Sequence, residues 1–315
     1  MAVLLVAVLL AGHGVFVGLP NRSEAGPRTA ALELRPARIV SAAVAPLQIA
    51  ATYRVTANDP RFGGVSGLVV DGPDLIAITD SGVVIRFPKP GAGASTLPAR
   101  LAELPSGPGP AGFKSGRDSE AIARDPAGRG WWVAFERRDE LWLYDAGFGR
   151  PLRRAVLRGQ SWPHNRGAEG LAAAGRQLHL FPENGGIVVT AGNGAAHAVP
   201  LHGIGGRYPW SGWVSDAAVL PDGRFLLVER RLSPLGFAAA LVLVERSGSG
   251  YRAGERIELP LARTDNLEAV AVEPAPAGGT RAWLMTDNDH RPFVDTLLMA
   301  IDLPAERQPR QPRLR

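Results

Sequence analysis

The chain of 315 residues contains no cysteine, which excludes disulfides, zinc–thiolate centres, a cysteine nucleophile and a thioether lipid anchor. Lysine is nearly absent too: among 35 basic residues only Lys89 and Lys114 are lysines. The net charge of +5 is therefore carried by arginines scattered among 30 acidic residues. No basic run lies beside an aromatic platform, so the composition argues against a nucleic-acid partner. No long amphipathic helical pattern occurs. Several catalytic signatures are missing as well. Gly64-Val65-Ser66-Gly67 lacks the glycine spacing of a nucleophile elbow. There is no zinc-protease helix, no phosphate-binding glycine loop and no histidine-phosphatase motif.

What is present is glycine (38) and proline (27) between short apolar runs, the composition of many strands joined by turns. An unbroken apolar run, Ala2 to Ala11, opens the chain, and small residues at Ser23-Glu24-Ala25 follow. The expected organisation is a signal peptide or N-terminal anchor over 1–25 and a linker over 26–44. A propeller domain over 45–303 follows, then a disordered basic tail over 304–315. The implied location is periplasmic or secreted, with membrane contact only through an uncleaved N-terminal segment.

Five segments repeat one plan: 63–82, 117–138, 166–185, 213–231 and 265–289. In each, a polar or acidic residue opens a short apolar strand, a Gly/Pro/Asp turn follows, and a second strand ends on an acid. The opening residues are Ser66, Glu120, Glu169, Asp216 and Glu268, spaced 54, 49, 47 and 52 apart by subtraction. Such a period holds about four short strands. Two more strand-like runs follow each pair except the last, which has one. A lone strand at 46–56 supplies the missing one and closes the circle. The predicted fold is an all-β propeller of five four-stranded blades, with six blades as the alternative.

Antiparallel pairing places the opening of each first strand and the end of each second strand on one face. The end residues are Asp80, Glu136, Glu183, Glu229 and Asp287. Nine carboxylates are thus expected at one mouth of the channel. Like charges so crowded need cations. Ca²⁺ or another divalent cation suits carboxylate oxygens, and Asp80, Glu136, Glu183, Asp216, Glu229, Asp287 and Asp289 are the candidate ligands. A repeated acid also serves as scaffold by accepting backbone N–H groups of the next blade. Glu120, Glu169, Glu268, His164 and His290 are the candidate acid–base groups. Arg117, Asn165, Arg166, Arg230 and Arg231 depart from the repeat and are the candidates for holding an anion. Arg137, Arg138, Asn288 and Arg291 lie beside them. Trp131, Trp132, Trp210 and Trp213 read as blade packing or rim contacts. No organic cofactor is expected.

The ordered set "GGVSGL", "DSEAIA", "NRGAEGLA", "VSDAAVLPDGRFLLVERR" and "NLEAVAVE…TDND" resembles the bacterial phytase-like domain family, the "esterase-like activity of phytase" proteins, over roughly 45–303. The resemblance implies a β-propeller, export by a Gram-negative bacterium, and phosphoester or ester hydrolysis with phytate as the suggested substrate. Related propeller phytases hold calcium on an acidic channel face. Two other functions remain open at this point. One is a non-catalytic periplasmic propeller that binds a ligand or protein partner. The other is a Ca-dependent lactonase-like hydrolase. The expected partner is a small anionic substrate or a protein.

Overall fold

The computed structural model describes residues 27–37 and 48–303, except 110–113, 137, 161, 163–166, 207–208, 263 and 292–293. The leader expected over 1–25 and the tail over 304–315 lie outside the described residues. Among the described residues no helix is long and apolar enough to cross a membrane.

Among the described residues there are twenty-two strands, of which twenty-one form five blades. Blade one is β3 (Val65–Asp71), β4 (Asp74–Thr79), β5 (Val83–Pro88) and β6 (Thr96–Glu103). Blade two is β7 (Ser119–Arg124), β8 (Gly130–Phe135), β9 (Glu140–Asp145) and β10 (Pro151–Val156). Blade three is β11 (Ala168–Ala174), β12 (Gln177–Pro182), β13 (Ile187–Thr190) and β14 (Ala196–Val199). Blade four is β16 (Trp213–Val219), β17 (Phe225–Ser233), β18 (Gly236–Ser247) and β19 (Gly250–Leu259), with the two-residue β15 (Leu201–His202) parallel to β19. Blade five is β20 (Asn266–Pro274), β21 (Thr280–Asp287), β22 (Thr296–Leu303) and, from the other end of the chain, β2 (Gln48–Ala57). The first strands of the blades touch in cyclic order, β3 to β7 to β11 to β16 to β20 and back to β3. That order closes the five-bladed ring.

The strand expected at 46–56 does close it: Ile49 faces Ile301, Tyr53 faces Leu298 and Val55 faces Thr296 in an antiparallel ladder. The linker expected over 26–44 needs correction. Its residues Arg28–Pro36 form β1, which pairs with β2 on one side and β6 on the other. Leu32 and Leu34 are buried there, so apolar alternation drives the strand into place. β1 joins the outer edges of blades five and one and leaves neither edge open.

Each gap between neighbouring blades is filled by its own apolar cluster. Leu241, Val228, Val270 and Leu284 fill the gap between blades four and five. Ile78, Ile122, Trp131 and Val133 fill that between one and two. Trp131 and Trp132 are thus packing residues, as expected, and Trp132 also donates to Asp125 Oδ1 at 2.8 Å. Asp125 builds the β7–β8 turn. Burial pushes its carboxyl up, but the hydrogen bonds from Arg129 and Trp132 outweigh it and hold the group at about 2.

His179 sits in the gap between blades three and four, against Phe225 and Tyr251. Its Nε2 lies 3.3 Å from the Tyr251 hydroxyl, while Nδ1 is buried without a hydrogen-bond partner. Burial, then the Arg246 charge, pulls the imidazole down to about 4. The contribution is complete above the unfolded value near 6.5 and is lost as pH falls from there towards 4. Acidification should therefore cost about 3 kcal/mol at this one residue. His179→Phe should remove that loss, seen as a smaller drop in Tm between pH 7 and pH 4 than in the wild type.

Candidate functional site

The channel has two unlike ends. Away from the strand openings it is lined by Leu68, Ile122, Leu171, Ala218 and Val270, around a cavity of about 180 Å³. At the strand openings it is acidic, and a repeated backbone irregularity makes it so. Every first strand carries a β-bulge, where two residues oppose one and the extra side chain is re-aimed. The bulged residues are Ser66, Glu120, Glu169, Ser215 and Glu268.

This ladder corrects the fourth repeat by one residue. Val214 faces Glu229 and Asp216 faces Val228, so Ser215, not Asp216, occupies the bulge. On the second strand, the residue that follows the partner of the pre-bulge residue is Asp80, Glu136, Glu183 or Asp287 in four blades and Arg230 in blade four. Strand alternation moves every side chain to the other face with a one-residue slip. The expected nine rim carboxylates are therefore seven, Glu120, Glu169, Glu268, Asp80, Glu136, Glu183 and Asp287, with an arginine, Arg230, among them.

The two displaced acids are scaffold. Asp216 is buried in the channel wall, where it accepts N–H bonds from Ala217 and Val270, both at 2.7 Å, and a further one from Leu68. It thereby ties blades four, five and one together. Burial pushes its carboxyl well above the usual range, only partly offset by those N–H groups. Glu229 pairs with Arg256 Nε on β19 of its own blade. The serines do similar work: Ser66 Oγ donates to Ser119 O at 2.6 Å and Ser215 Oγ to Leu267 O at 2.9 Å.

Arg230 is the hub of the rim. It bonds Glu268 Oε1 through Nη1, reaches Asn266 Oδ1 at 2.8 Å, and lies 3.6 Å from Glu183 Oε1. Burial disfavours its charge, yet Glu268, Glu183, Glu169 and Asp287 outweigh that and raise its pKa. Glu169 lies on one side. Its carboxyl is pushed far above the usual range by burial and then by the charges of Glu183, Glu136 and Glu268. Asp287 lies on the other, raised well above the usual range by burial and by Asp80.

Beyond Glu169, Asp118, Glu120 and Glu136 converge. Among the described residues they are the one group of three carboxylates whose ligand atoms all lie within 4.8 Å of one another. Asp118 was missed in the sequence because it precedes the bulge and has no counterpart in the other repeats.

His290 belongs to the blade-five end of the rim. Asp289 and His290 both have left-handed backbone, with φ of 49° and 51°, in a tight loop where Asp289 N–H donates to Asp287 Oδ1 at 2.7 Å. Two consecutive non-glycine residues in that region cost on the order of 1–3 kcal/mol each. Gly63 and Gly64 make the approach feasible. A Cβ on Gly64 would lie 2.6 Å from Asp80 Oδ1 and 3.1 Å from His290 Nε2, and one on Gly63 would lie 2.8 Å from His290 Nδ1. The imidazole is therefore held beside Asp80. The Asp289 carboxylate is drawn to Arg291, 2.7 Å away, rather than to the rim.

The other expected anion contacts are placed elsewhere. Arg117 is buried, its Nε donating to Gly109 O at 3.0 Å and its Nη1 to Leu104 O. It pins the loop before the single helical turn α1 (Lys114–Arg117) and does not face the mouth as a ligand contact. Burial lowers its pKa. Arg231 points to the opposite sheet face from Arg230 and bonds Glu258. His164, Asn165, Arg166 and Arg137 lie outside the described residues.

No curated protein matches the chain. Many solved structures resemble it distantly, among them the following three. A chain of a nidogen/laminin complex is 12% identical, covering 88% of this chain and 99% of that one, with a TM-score of 0.43. The calcium-binding protein regucalcin of Agrobacterium tumefaciens is 11% identical, covering 79% and 80%, with a TM-score of 0.43. Hydrazine synthase of Kuenenia stuttgartiensis is 13% identical, covering 76% of this chain and 62% of that one, less than two thirds of its length, with a TM-score of 0.40. Likeness this weak carries no argument, and the propeller rests on the ladders above. A family model is more direct: the phytase-like model, described as esterase-like activity of phytase, matches residues 60–290. That range spans all five first strands and the acidic rim. The chain belongs to the phytase-like family.

Proposed function

We propose that this protein is an exported hydrolase of phosphoesters that works with a divalent cation at the acidic mouth. The observation that carries the reading is the convergence of Asp118, Glu120 and Glu136 in a chain of the phytase-like family. All the donors are carboxylate oxygens, the set that Ca²⁺ or Mg²⁺ takes, so these three side chains would hold the ion. When bound, such an ion polarises a phosphoryl oxygen and offsets its charge. Without a cation the rim would repel a phosphate.

The chain's own residues supply the rest. Burial, and then the charges of Glu183, Glu136 and Glu268, raise the Glu169 carboxyl and so favour the protonated form that a donor to a leaving oxygen needs. Arg230 balances the rim charge and directs one positive pole into it. His290, beside Asp80, is the second acid–base candidate. The apolar run over Ala2–Ala11 supports the exported location, periplasmic or secreted.

A second reading, a non-catalytic propeller that binds a ligand or protein, is favoured by the engagement of Arg117 and Arg231 with protein groups. Calorimetric titration with Ca²⁺ and Mg²⁺, paired with phosphate release from phytate and p-nitrophenyl phosphate, separates the two. Hydrolysis that stops with EDTA supports the first reading. Ion binding without turnover supports the second, and turnover of lactones alone supports a lactonase-like enzyme. Under the first reading Glu169→Gln should lower kcat by roughly 10²-fold, with KM changed little.

A further inference from the structure

Four of the five second strands stop at the mouth: β4 at Thr79, β8 at Phe135, β12 at Pro182 and β21 at Asp287. β17 continues past Arg230 to Ser233, and β18 returns from Gly236 in unbroken register. Arg230 faces Ala239, Arg231 faces Ala238, Leu232 faces Phe237 and Ser233 faces Gly236. At roughly 3.3 Å per residue the tip of this hairpin stands about 10 Å beyond Arg230.

Alternation along the hairpin sorts its side chains. Arg231 turns away to Glu258. Arg230, Leu232 and Phe237 share the other face, and the Phe237 ring lies 5.7 Å from the Arg230 guanidinium carbon. An apolar surface thus rises directly from the charged hub. At its tip Leu235 is 77% exposed. On the 3₁₀ turn Pro209–Ser211, which packs against β17 of the same blade, Trp210 is 64% exposed. These are the two most exposed large hydrophobic side chains among the described residues, and both stand on the mouth side of the same blade. Isolated apolar side chains on a surface need no explanation, but a set continuous with a charged site does.

We propose that this hairpin is the wall against which the apolar part of an amphiphilic ester lies. The reacting group would sit among the rim carboxylates and Arg230. The alkyl or aryl part would run outward along Phe237, Leu235 and Trp210. The inference rests on the hydrolase reading and adds the substrate class to it: an ester with an apolar arm rather than one that is polar throughout.

A homologous series of ethyl, butyl and octyl phosphate, used below micelle-forming concentrations with saturating Ca²⁺, tests it. Each methylene that the wall covers should raise kcat/KM by up to about fourfold. Octyl phosphate should therefore exceed ethyl phosphate at least tenfold. Leu235→Ser and Trp210→Ser, both at exposed positions, should reduce that ratio at least fivefold through KM. Leu152→Ser, on the outer strand of blade two, should leave it as in the wild type. A flat series in the wild type overturns the wall, as does a series that both variants preserve. If no phosphoester is turned over at all, the hydrolase reading fails separately. The wall is then judged by calorimetric binding of octyl phosphonate, and unchanged affinity in Leu235→Ser and Trp210→Ser overturns it.

Discussion

Replacing Arg230 with Gln should lower the stability of the metal-free protein by about 3–5 kcal/mol, the largest loss expected from any single exchange at the mouth. The side chain is mostly buried and has two carboxylates, Glu268 and Glu183, as partners, with the charges of Glu169 and Asp287 close behind. Removing one partner of a buried ion pair leaves the other charge uncompensated, which costs far more than the pair itself contributes. For a domain of this size, 1 kcal/mol corresponds to roughly 2–4 °C, so Tm should fall by about 10 °C. Arg230→Lys should fall between, since a lysine keeps the charge but cannot reach both carboxylates in the fork geometry. The effect should also be coupled. In the double variant Arg230→Gln/Glu268→Gln part of the loss should return, because the stranded carboxylate is gone too. Thermal unfolding of the wild type, the three single variants and the double variant measures this. A loss below about 1 kcal/mol in Arg230→Gln, or strict additivity with Glu268→Gln, would show that the rim does not depend on its arginine.

That dependence could be read only partly from the sequence. The repeat itself was legible because each blade begins with the same hairpin, and hairpins announce themselves by apolar runs around a Gly/Pro/Asp turn. Closure by residues 46–56 followed from counting strands, and the ladder of β2 with β22 bears it out. Two things were hidden. β1 has no counterpart in the repeats, so "RTAALELRP" reads as part of a linker rather than as an extra strand. Blade four was aligned on its acids, Asp216 and Glu229, whereas register is a matter of hydrogen bonds and bulges. A usable signal existed: Val214-Ser215 matches Val65-Ser66 of the first repeat, and both serines take the bulge. Arg117 illustrates a different limit. A residue that departs from a repeat either meets a ligand or holds an irregular loop, and this one donates to the backbone carbonyls of Leu104 and Gly109. Nor does a linear pattern show that Asp118 turns toward Glu120 and Glu136, since only the pleat and the bulge decide it.

The metal-free protein should become less stable as pH rises, opposite to the usual behaviour of carboxylate-rich surfaces. The sign follows from Glu169 and Asp287. Burial and neighbouring charges raise both carboxyls well above their unfolded values. Such a group contributes its full share of stability below the unfolded value, near pH 4, and loses it as pH rises through the folded value. Each unit of upward shift is worth about 1.4 kcal/mol at high pH, or roughly 3–6 °C in Tm. His179 acts in the other direction between pH 6.5 and 4, so His179→Phe is the background in which the rim is best isolated. In that background, with EDTA present, Tm should be higher at pH 5 than at pH 8. Glu169→Gln, a neutral group of the same shape, should raise Tm at pH 8 and flatten the slope. Millimolar Ca²⁺ should do the same in the parent, because the ion supplies the compensation that protons supply at low pH. A Tm independent of pH between 5 and 8, unmoved by Glu169→Gln and by Ca²⁺ alike, would mean that the rim carboxylates are already balanced by the chain's own arginines.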